Sequence, residues 1–181
     1  MTHKLLVTSF QTWLPHQFEN SSDVLLETTK AKLSSDCILL RKLPVDFVAA
    51  PQLVLQAVKQ NRPRAVVACG MAEGRSLLTV EQFARRDSTT LETSLPLPQL
   101  IDGLSHTKIS EDAGDFVCNG LYFDLLAATD KATVSPHQTP LKDAVFVHVP
   151  LLTDDNQGAI SADFTQFLKR LNQFLNSFSY S

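Results

Sequence analysis

The sequence predicts an α/β fold, a three-layer α/β/α sandwich around a mainly parallel, twisted sheet. Short apolar runs that suit strands alternate along the chain with longer stretches of helical periodicity, the pattern of strands joined by crossover helices. Segment 65–69 is apolar throughout and stops at Gly70, which is typical of a parallel strand buried on both faces. Segment 163–178 carries its phenylalanines and leucines on one helical face, which such a sheet would cover.

Strands are expected where β-rich or apolar runs are short. The first run ends in polar residues, the second is stopped by Pro44, and the last is β-branched and closed by Pro150. The predicted strands are, in chain order, 4–9, 37–43, 65–69, 77–83, 108–110 and 144–149.

Helices are expected where apolar residues recur every three to four positions. The first has Ser21 or Ser22 near its N-terminal cap, and the second ends before Pro63. The predicted helices are 20–33, 47–59, 95–104, 116–128 and 163–178. Residues 87–98, rich in Ser, Thr and Pro, are predicted to form a loop.

Length and composition indicate one folded domain over residues 1–181. A hydrophobic fraction of 44% excludes a disordered chain. Sixteen Lys and Arg against 19 Asp and Glu give a net charge of −3, which argues against nucleic acid as a partner. The N-terminal apolar run is too short for a signal peptide and no segment suits a membrane helix, so we expect a cytoplasmic protein without a membrane partner.

The cysteines are the residues most able to carry chemistry, and there are three of them. They contain no C-x-x-C pair, so neither a disulfide framework nor a zinc site is indicated. Cys37 and Cys69 lie inside apolar strands and are expected in the core. Cys118 lies in the first turn of the predicted helix 116–128, where the positive helix end can lower the pKa of a thiol.

Cys118, His148 and Glu81 together could provide nucleophilic catalysis. A cysteine nucleophile needs a base for its proton, and the base needs an orienting group. His148 ends a predicted strand and Glu81 follows a turn and a β-like stretch, so both lie where α/β folds place their sites. Spacing alone leaves Cys118 open to two interpretations, a nucleophile or a small hydrophobic residue of the core.

Five blocks of sequence span nearly the whole chain in a fixed order: residues 5–10, 43–45, 70–84, 110–119 and 146–150. The most specific are Ala-Gly-x-Phe-Val-Cys-Asn at 113–119 and His-Val-Pro at 148–150. Together these blocks resemble the pyroglutamyl peptidase I (pyrrolidone-carboxylate peptidase) family, of which this chain would be a divergent, short member.

The resemblance implies a cysteine exopeptidase, of the omega-peptidase type, that hydrolyses the amide bond after an N-terminal pyroglutamyl residue. It implies no metal or cofactor, a peptide with a blocked N-terminus as substrate, and self-association as a homo-oligomer. Cys118 would be the nucleophile, His148 the base and then the acid, and Glu81 the group that orients His148. The Cys118 N–H would donate to the oxyanion. The substrate-binding positions implied are Phe10, Trp13, Val45, Met71, Phe116 and Val117.

The departures from the family pattern concern the substrate pocket. The first loop, residues 9–16, lacks the family's glycines and has Trp13 in place of a Phe. The arginine thought to assist the oxyanion has no counterpart, which leaves Arg85 or Arg86 as substitutes. The segment from Glu81 to Cys118 is shorter than usual in the family. Two alternatives therefore stay open: a Cys-His-Glu amidohydrolase of different specificity, and a catalytically silent relative that binds a peptide or lactam.

Overall fold

The computed structural model describes residues 5–33, 37–129 and 141–177, and it contains a central sheet of six strands with the order β2-β1-β3-β8-β4-β7. The remaining two strands, β5 and β6, form a separate hairpin. The strands are β1 (Leu5–Phe10), β2 (Cys37–Leu43), β3 (Ala65–Met71), β4 (Leu78–Glu81), β5 (Phe83–Arg86), β6 (Thr89–Glu92), β7 (Thr107–Ser110) and β8 (Asp143–Val149).

Most neighbours in the sheet run parallel, as predicted. β1 pairs parallel with β2 and β3, and β3 pairs parallel with β8. β4 runs antiparallel to β8 and parallel to β7, so the sheet changes direction once. This reversal puts Thr79 opposite His148 and Glu81 opposite Phe146.

Helices cover both faces of the sheet and complete the three layers, which confirms the predicted fold class. α1, α3 and α5 contribute to one apolar core, and α2 and α4 contribute to the other. The helices are α1 (Ser21–Thr29), α2 (Ala49–Asn61), α3 (Leu97–Ile101), α4 (Val117–Ala127) and α5 (Gln157–Ser177). A 3₁₀ turn, Lys30–Lys32, follows α1.

Alternation along β1 divides its side chains between the two cores. Leu5 and Val7 enter the core under α1, α3 and α5, whereas Leu6 and Phe10 enter the core under α2 and α4. The predicted apolar face of the last helix is buried through Phe164, Phe167 and Leu171. None of the helices in the described segments combines the length and apolar character needed to cross a bilayer.

The N-terminus of α1 lies where it was predicted: Asn20 is the cap, because its side chain accepts from the Ser22 N–H, and Ser21 follows it directly. Several other predicted boundaries were wrong. The predicted strand 77–83 is broken after Glu81, and the predicted loop 87–98 contains β6. The last helix starts at Gln157 rather than at residue 163. Positions 4 and 178, the ends of two predicted elements, lie outside the described residues.

Candidate active site

The histidine and the carboxylate predicted to act together lie side by side. His148 is the penultimate residue of β8 and Glu81 is the last residue of β4. His148 Nδ1 lies 2.9 Å from Glu81 Oε1, and the two residues are 5% and 0% exposed. Because an ionised carboxylate only accepts, Nδ1 is assigned as the donor, which leaves Nε2 able to accept a proton.

Cys118 is the second residue of α4, and its sulfur lies against Gly70 of β3. A Cβ placed on Gly70 would be 2.7 Å from Cys118 Sγ. Gly70 pairs with His148 in the β3–β8 register, so the sulfur lies over the strand position beside the histidine. Among the described residues the thiol makes no hydrogen bond to His148. Catalytic hydrogen bonds are often completed only when substrate is bound.

The pKa of Cys118 moves opposite to the direction that its helix position suggested. Burial raises the pKa of the thiol to about 12, and the negative charge of Glu81 acts in the same direction. The helix start was expected to lower it, but desolvation of the sulfur outweighs that effect. A thiol in this environment is neutral near neutral pH and would have to lose its proton to a neighbouring base in order to react.

The pKa of Glu81 is lower than the usual glutamate value. Burial opposes ionisation, but the hydrogen bond from His148, the positive charge of that ring when it is protonated and the charge of Arg75 together outweigh it. Glu81 Oε1 also accepts from Arg75 Nη1 at 2.5 Å and from Thr79 Oγ1 at 3.0 Å. Within the part of the chain that the structure describes, Glu81 Oε2 is buried without a hydrogen-bond partner. The carboxylate is thus fixed through one oxygen and ionised.

Two side chains of α4 hold that helix against the segment that carries Glu81. The amide of Asn119 accepts from the Arg85 N–H at 2.8 Å and donates to the Arg85 carbonyl at 2.6 Å. Tyr122 Oη donates to the Glu81 carbonyl at 2.8 Å. Neither role was predicted from the sequence. The feature that could have indicated them is their spacing, because residues 119 and 122 lie one and four positions after Cys118 on the same predicted helix.

The predicted substrate positions divide into exposed and buried groups. The rings of Trp13 and Phe116 are in contact, tilted by 36° with centroids 4.6 Å apart, and Phe47 meets Phe116 edge-on at 5.8 Å. These three side chains are more than two-fifths exposed. Phe10 and Val117 are buried in the core. Val45 and Met71 are partly buried, and Met71 Sδ accepts from the Ser21 N–H. Phe47 was missed, because nothing in its sequence context sets it apart.

The first loop, which lacks the family's glycines, is held by Gln17. Gln17 Oε1 accepts from the Trp13 and Leu14 N–H groups at 3.1 and 3.2 Å. Its Nε2 donates to Glu73 in the β3–β4 turn at 2.7 Å. Side-chain hydrogen bonds therefore fix the loop that carries Trp13.

Both arginines considered as second oxyanion donors make other contacts in this conformation. Arg86 pairs with Asp124 at 2.7 Å and donates to the Gly120 carbonyl. The Arg85 guanidinium donates to the Glu111 carbonyl. The Cys118 N–H lies in the first turn of α4, where an amide has no acceptor within its own helix. No group of three or more metal-ligating side chains occurs in the segments the structure describes.

Comparisons with known proteins agree on one family. The family model described as pyroglutamyl peptidase matches residues 3–91, a range that contains Glu81. A pyrrolidone-carboxylate peptidase of Aliivibrio fischeri is 25% identical over 94% of this chain and 86% of its own length. A pyrrolidone-carboxylate peptidase of Lactobacillus helveticus is 23% identical over 82% of this chain and 84% of its own length.

Solved structures share the fold. The pyrrolidone carboxyl peptidase of Thermococcus litoralis superposes with a TM-score of 0.78 at 20% identity, covering 97% of this chain and 96% of that one. Pyroglutamyl peptidase I of Bacillus amyloliquefaciens gives a TM-score of 0.74 at 18% identity, and the match covers 91% of this chain and 94% of that one. The similarity in structure therefore extends through the elements that carry Cys118 and His148.

Proposed function

Because the chain belongs to the pyroglutamyl peptidase family, we propose that it is a cysteine peptidase that removes an N-terminal pyroglutamyl residue from peptides. The observation that carries this proposal is the 2.9 Å bond from His148 to buried Glu81, with the Cys118 sulfur over the strand residue paired to His148. Nucleophile, base and orienting carboxylate are then within one small region of the sheet.

The first half of the reaction forms a thioester. His148 Nε2 takes the Cys118 proton as the sulfur attacks the carbonyl carbon of the pyroglutamyl residue. Negative charge develops on the carbonyl oxygen, toward which the Cys118 N–H can donate. The imidazolium, stabilised by Glu81, then gives its proton to the departing amine, and the carbon–nitrogen bond breaks.

The second half hydrolyses the thioester. His148 removes a proton from water, the hydroxyl adds to the acyl carbon, and the carbon–sulfur bond breaks. The sulfur leaves as thiolate and regains a proton from the imidazolium, so the enzyme ends as it began. The products are pyroglutamate and a peptide one residue shorter.

The aromatic pair of Trp13 and Phe116 is suited to a flat, uncharged acyl group. A pyrrolidone ring has apolar faces that pack on aromatic rings, and its lactam needs hydrogen-bond partners rather than a counter-charge. Phe116 is the N-cap residue of α4, two positions before the nucleophile. An acyl group packed on this pair would therefore lie near Cys118.

A second candidate is an amidohydrolase with the same chemistry and a different acyl specificity. It is favoured by one observation, the Gln17–Glu73 contact that fixes the first loop in place of the family's glycines. A loop held by side-chain bonds follows its own path and can shape a different pocket.

The deciding experiment measures release of a fluorescent amine from pyroglutamyl, prolyl and alanyl derivatives. We expect turnover of the pyroglutamyl derivative alone, with loss of at least about 10³-fold in Cys118→Ala and retention in the matched Cys37→Ala. Turnover of another acyl derivative would favour the second candidate. If no derivative is turned over and iodoacetamide fails to modify Cys118, the catalytic proposal is wrong and a binding role replaces it.

A further inference from the structure

Arg75 connects three parts of the candidate site. Its Nη1 donates to Glu81 Oε1 at 2.5 Å and to the Thr79 hydroxyl, and its Nη2 donates to the Asp112 carbonyl at 2.7 Å. Its own N–H closes the β3–β4 turn by donating to the Ala72 carbonyl at 3.0 Å. The side chain is 24% exposed, so these contacts lie at the edge of the protein interior.

The first consequence concerns the charge of Glu81. A fully buried carboxylate is stable only when it is paired and hydrogen-bonded, and Glu81 Oε2 has no partner among the described residues. Neutral His148 offers one hydrogen bond and no charge, whereas Arg75 stays positively charged throughout the reaction. Arg75 therefore keeps Glu81 ionised before the imidazolium exists.

The second consequence concerns the sulfur. Glu81 raises the pKa of Cys118 and Arg75 lowers it, so the arginine offsets the repulsion between carboxylate and thiolate. Two other titratable side chains lie next to Glu81: His148 from β8, and Tyr122 from α4, which donates to the Glu81 carbonyl. Burial raises the pKa of Tyr122, which therefore stays neutral.

The third consequence concerns the backbone. Asp112 lies in the connection between β7 and α4, which leads to Cys118 six residues later in the chain. One planar guanidinium thus binds the carboxylate that orients the base and the loop that precedes the nucleophile. Because the guanidinium is planar, its hydrogen bonds fix the orientation of the groups that it binds as well as their distance from it.

We infer that Arg75 is a positioning residue of this site, which holds Glu81 ionised and directed toward His148 and compensates its charge at Cys118. The inference deepens the proposed peptidase function, and its kinetic test depends on that function. The test of thiol reactivity does not depend on it, because alkylation is measured without any substrate.

The experiment compares Arg75→Gln and Arg75→Lys with a matched control, Arg170→Gln. Arg170 donates to the Leu100 and Asp102 carbonyls and contributes no group to the candidate site. Alkylation of Cys118 by iodoacetamide is followed against pH, with Cys118→Ala subtracted as background. At neutral pH the alkylation rate follows the small thiolate fraction, so we expect Arg75→Gln to slow alkylation there by about tenfold, the equivalent of raising the thiol pKa by about one unit.

Arg75→Lys separates charge from geometry. It keeps the charge but loses the fork, so its alkylation profile should approach that of the unmodified protein while kcat stays about tenfold lower at unchanged KM. An Arg75→Gln profile that coincides with that of Arg170→Gln would overturn the inference. If Arg75→Gln does not fold, a folded Arg75→Lys with full kcat overturns it instead. Absence of pyroglutamyl turnover alone contradicts only the proposed function, because the alkylation profiles still decide the role of Arg75.

Discussion

At the scale of single residues, Gly70 decides how closely the Cys118 sulfur can approach the sheet. Its missing side chain leaves the space that the Cys118 sulfur and the Phe146 ring occupy, since an added Cβ would lie 2.7 Å from Sγ and 2.9 Å from Cζ of Phe146. Phe146 in turn packs against the His148 ring, with centroids 4.8 Å apart. Gly70 is therefore needed for close contact rather than for a special backbone angle.

Replacing Gly70 by alanine should damage activity and stability together. The new methyl group would force the sulfur and the ring apart, with an expected loss of about 1–3 kcal/mol in unfolding free energy and of roughly 100-fold in kcat/KM. Urea unfolding and single-substrate kinetics measure the two effects. Gly158→Ala in α5 is the control, because nothing lies within 4 Å of its added Cβ. Equal behaviour of the two variants would contradict this role for Gly70.

The sequence could identify residue types but not their surroundings. Cys118, His148 and Glu81 could be proposed because their chemistry and their positions near element ends suggested it, and their roles remain proposals. The pKa direction of Cys118 could not be predicted, because burial depends on packing between α4 and β3. Arg75 was visible only as part of a sequence block, and its partner at residue 112 is distant in the chain.

At the scale of elements, the β5–β6 hairpin is the feature that sequence patterning missed. Its strands carry Arg85, Arg86 and several threonines, and they lack the apolar alternation of a half-buried strand. The hairpin forms because it packs on α4, through Asn119 against Arg85 and through Arg86 over the Phe123 ring. Tertiary contact, not local propensity, produces it.

Asn119→Ala should loosen α4 from the hairpin. It removes the partners of the Arg85 N–H and carbonyl, and an expected cost of about 2–4 kcal/mol follows from leaving both groups unsatisfied. Activity should fall as well, because Asn119 directly follows Cys118, the proposed nucleophile. Asn61→Ala serves as control, since the Asn61 amide donates to the Ala57 carbonyl within α2. Thermal unfolding that ranks the two variants equally would show that the contact with Arg85 has no special weight.

At the scale of the whole molecule, the sheet separates two apolar cores, and the candidate site borders only one of them. Phe146 and Cys118 belong to the core of α2 and α4, whereas the long helix α5 fills the opposite core. The layer arrangement was predictable because periodicity of strands and helices is a local property. The antiparallel β4 was not, and it is this reversal that brings Glu81 beside the strand of His148.

Stability of the whole molecule should decline in acid, partly through Glu81. Its pKa is below the usual 4.5, so the unfolded chain binds protons more readily and the folded state loses this contribution as pH falls below about 4.5 through the folded pKa. Above that value the contribution is complete. Urea unfolding at several pH values should show a smaller acid loss for Glu81→Gln than for the unmodified protein. Glu19→Gln, at an exposed position, is the control, and identical acid loss in both variants would refute the assignment.

The position of Trp13 beside Phe116 makes it possible to follow ligand binding by fluorescence. The chain contains a single tryptophan, so its indole emission comes from one place on the molecule, the surface where we propose that the acyl group packs. An occupant of that surface would exclude water from the ring and shift its emission toward the blue. The protein therefore carries its own optical probe, and titration without any label would follow occupancy directly, even in a variant that cannot turn substrate over.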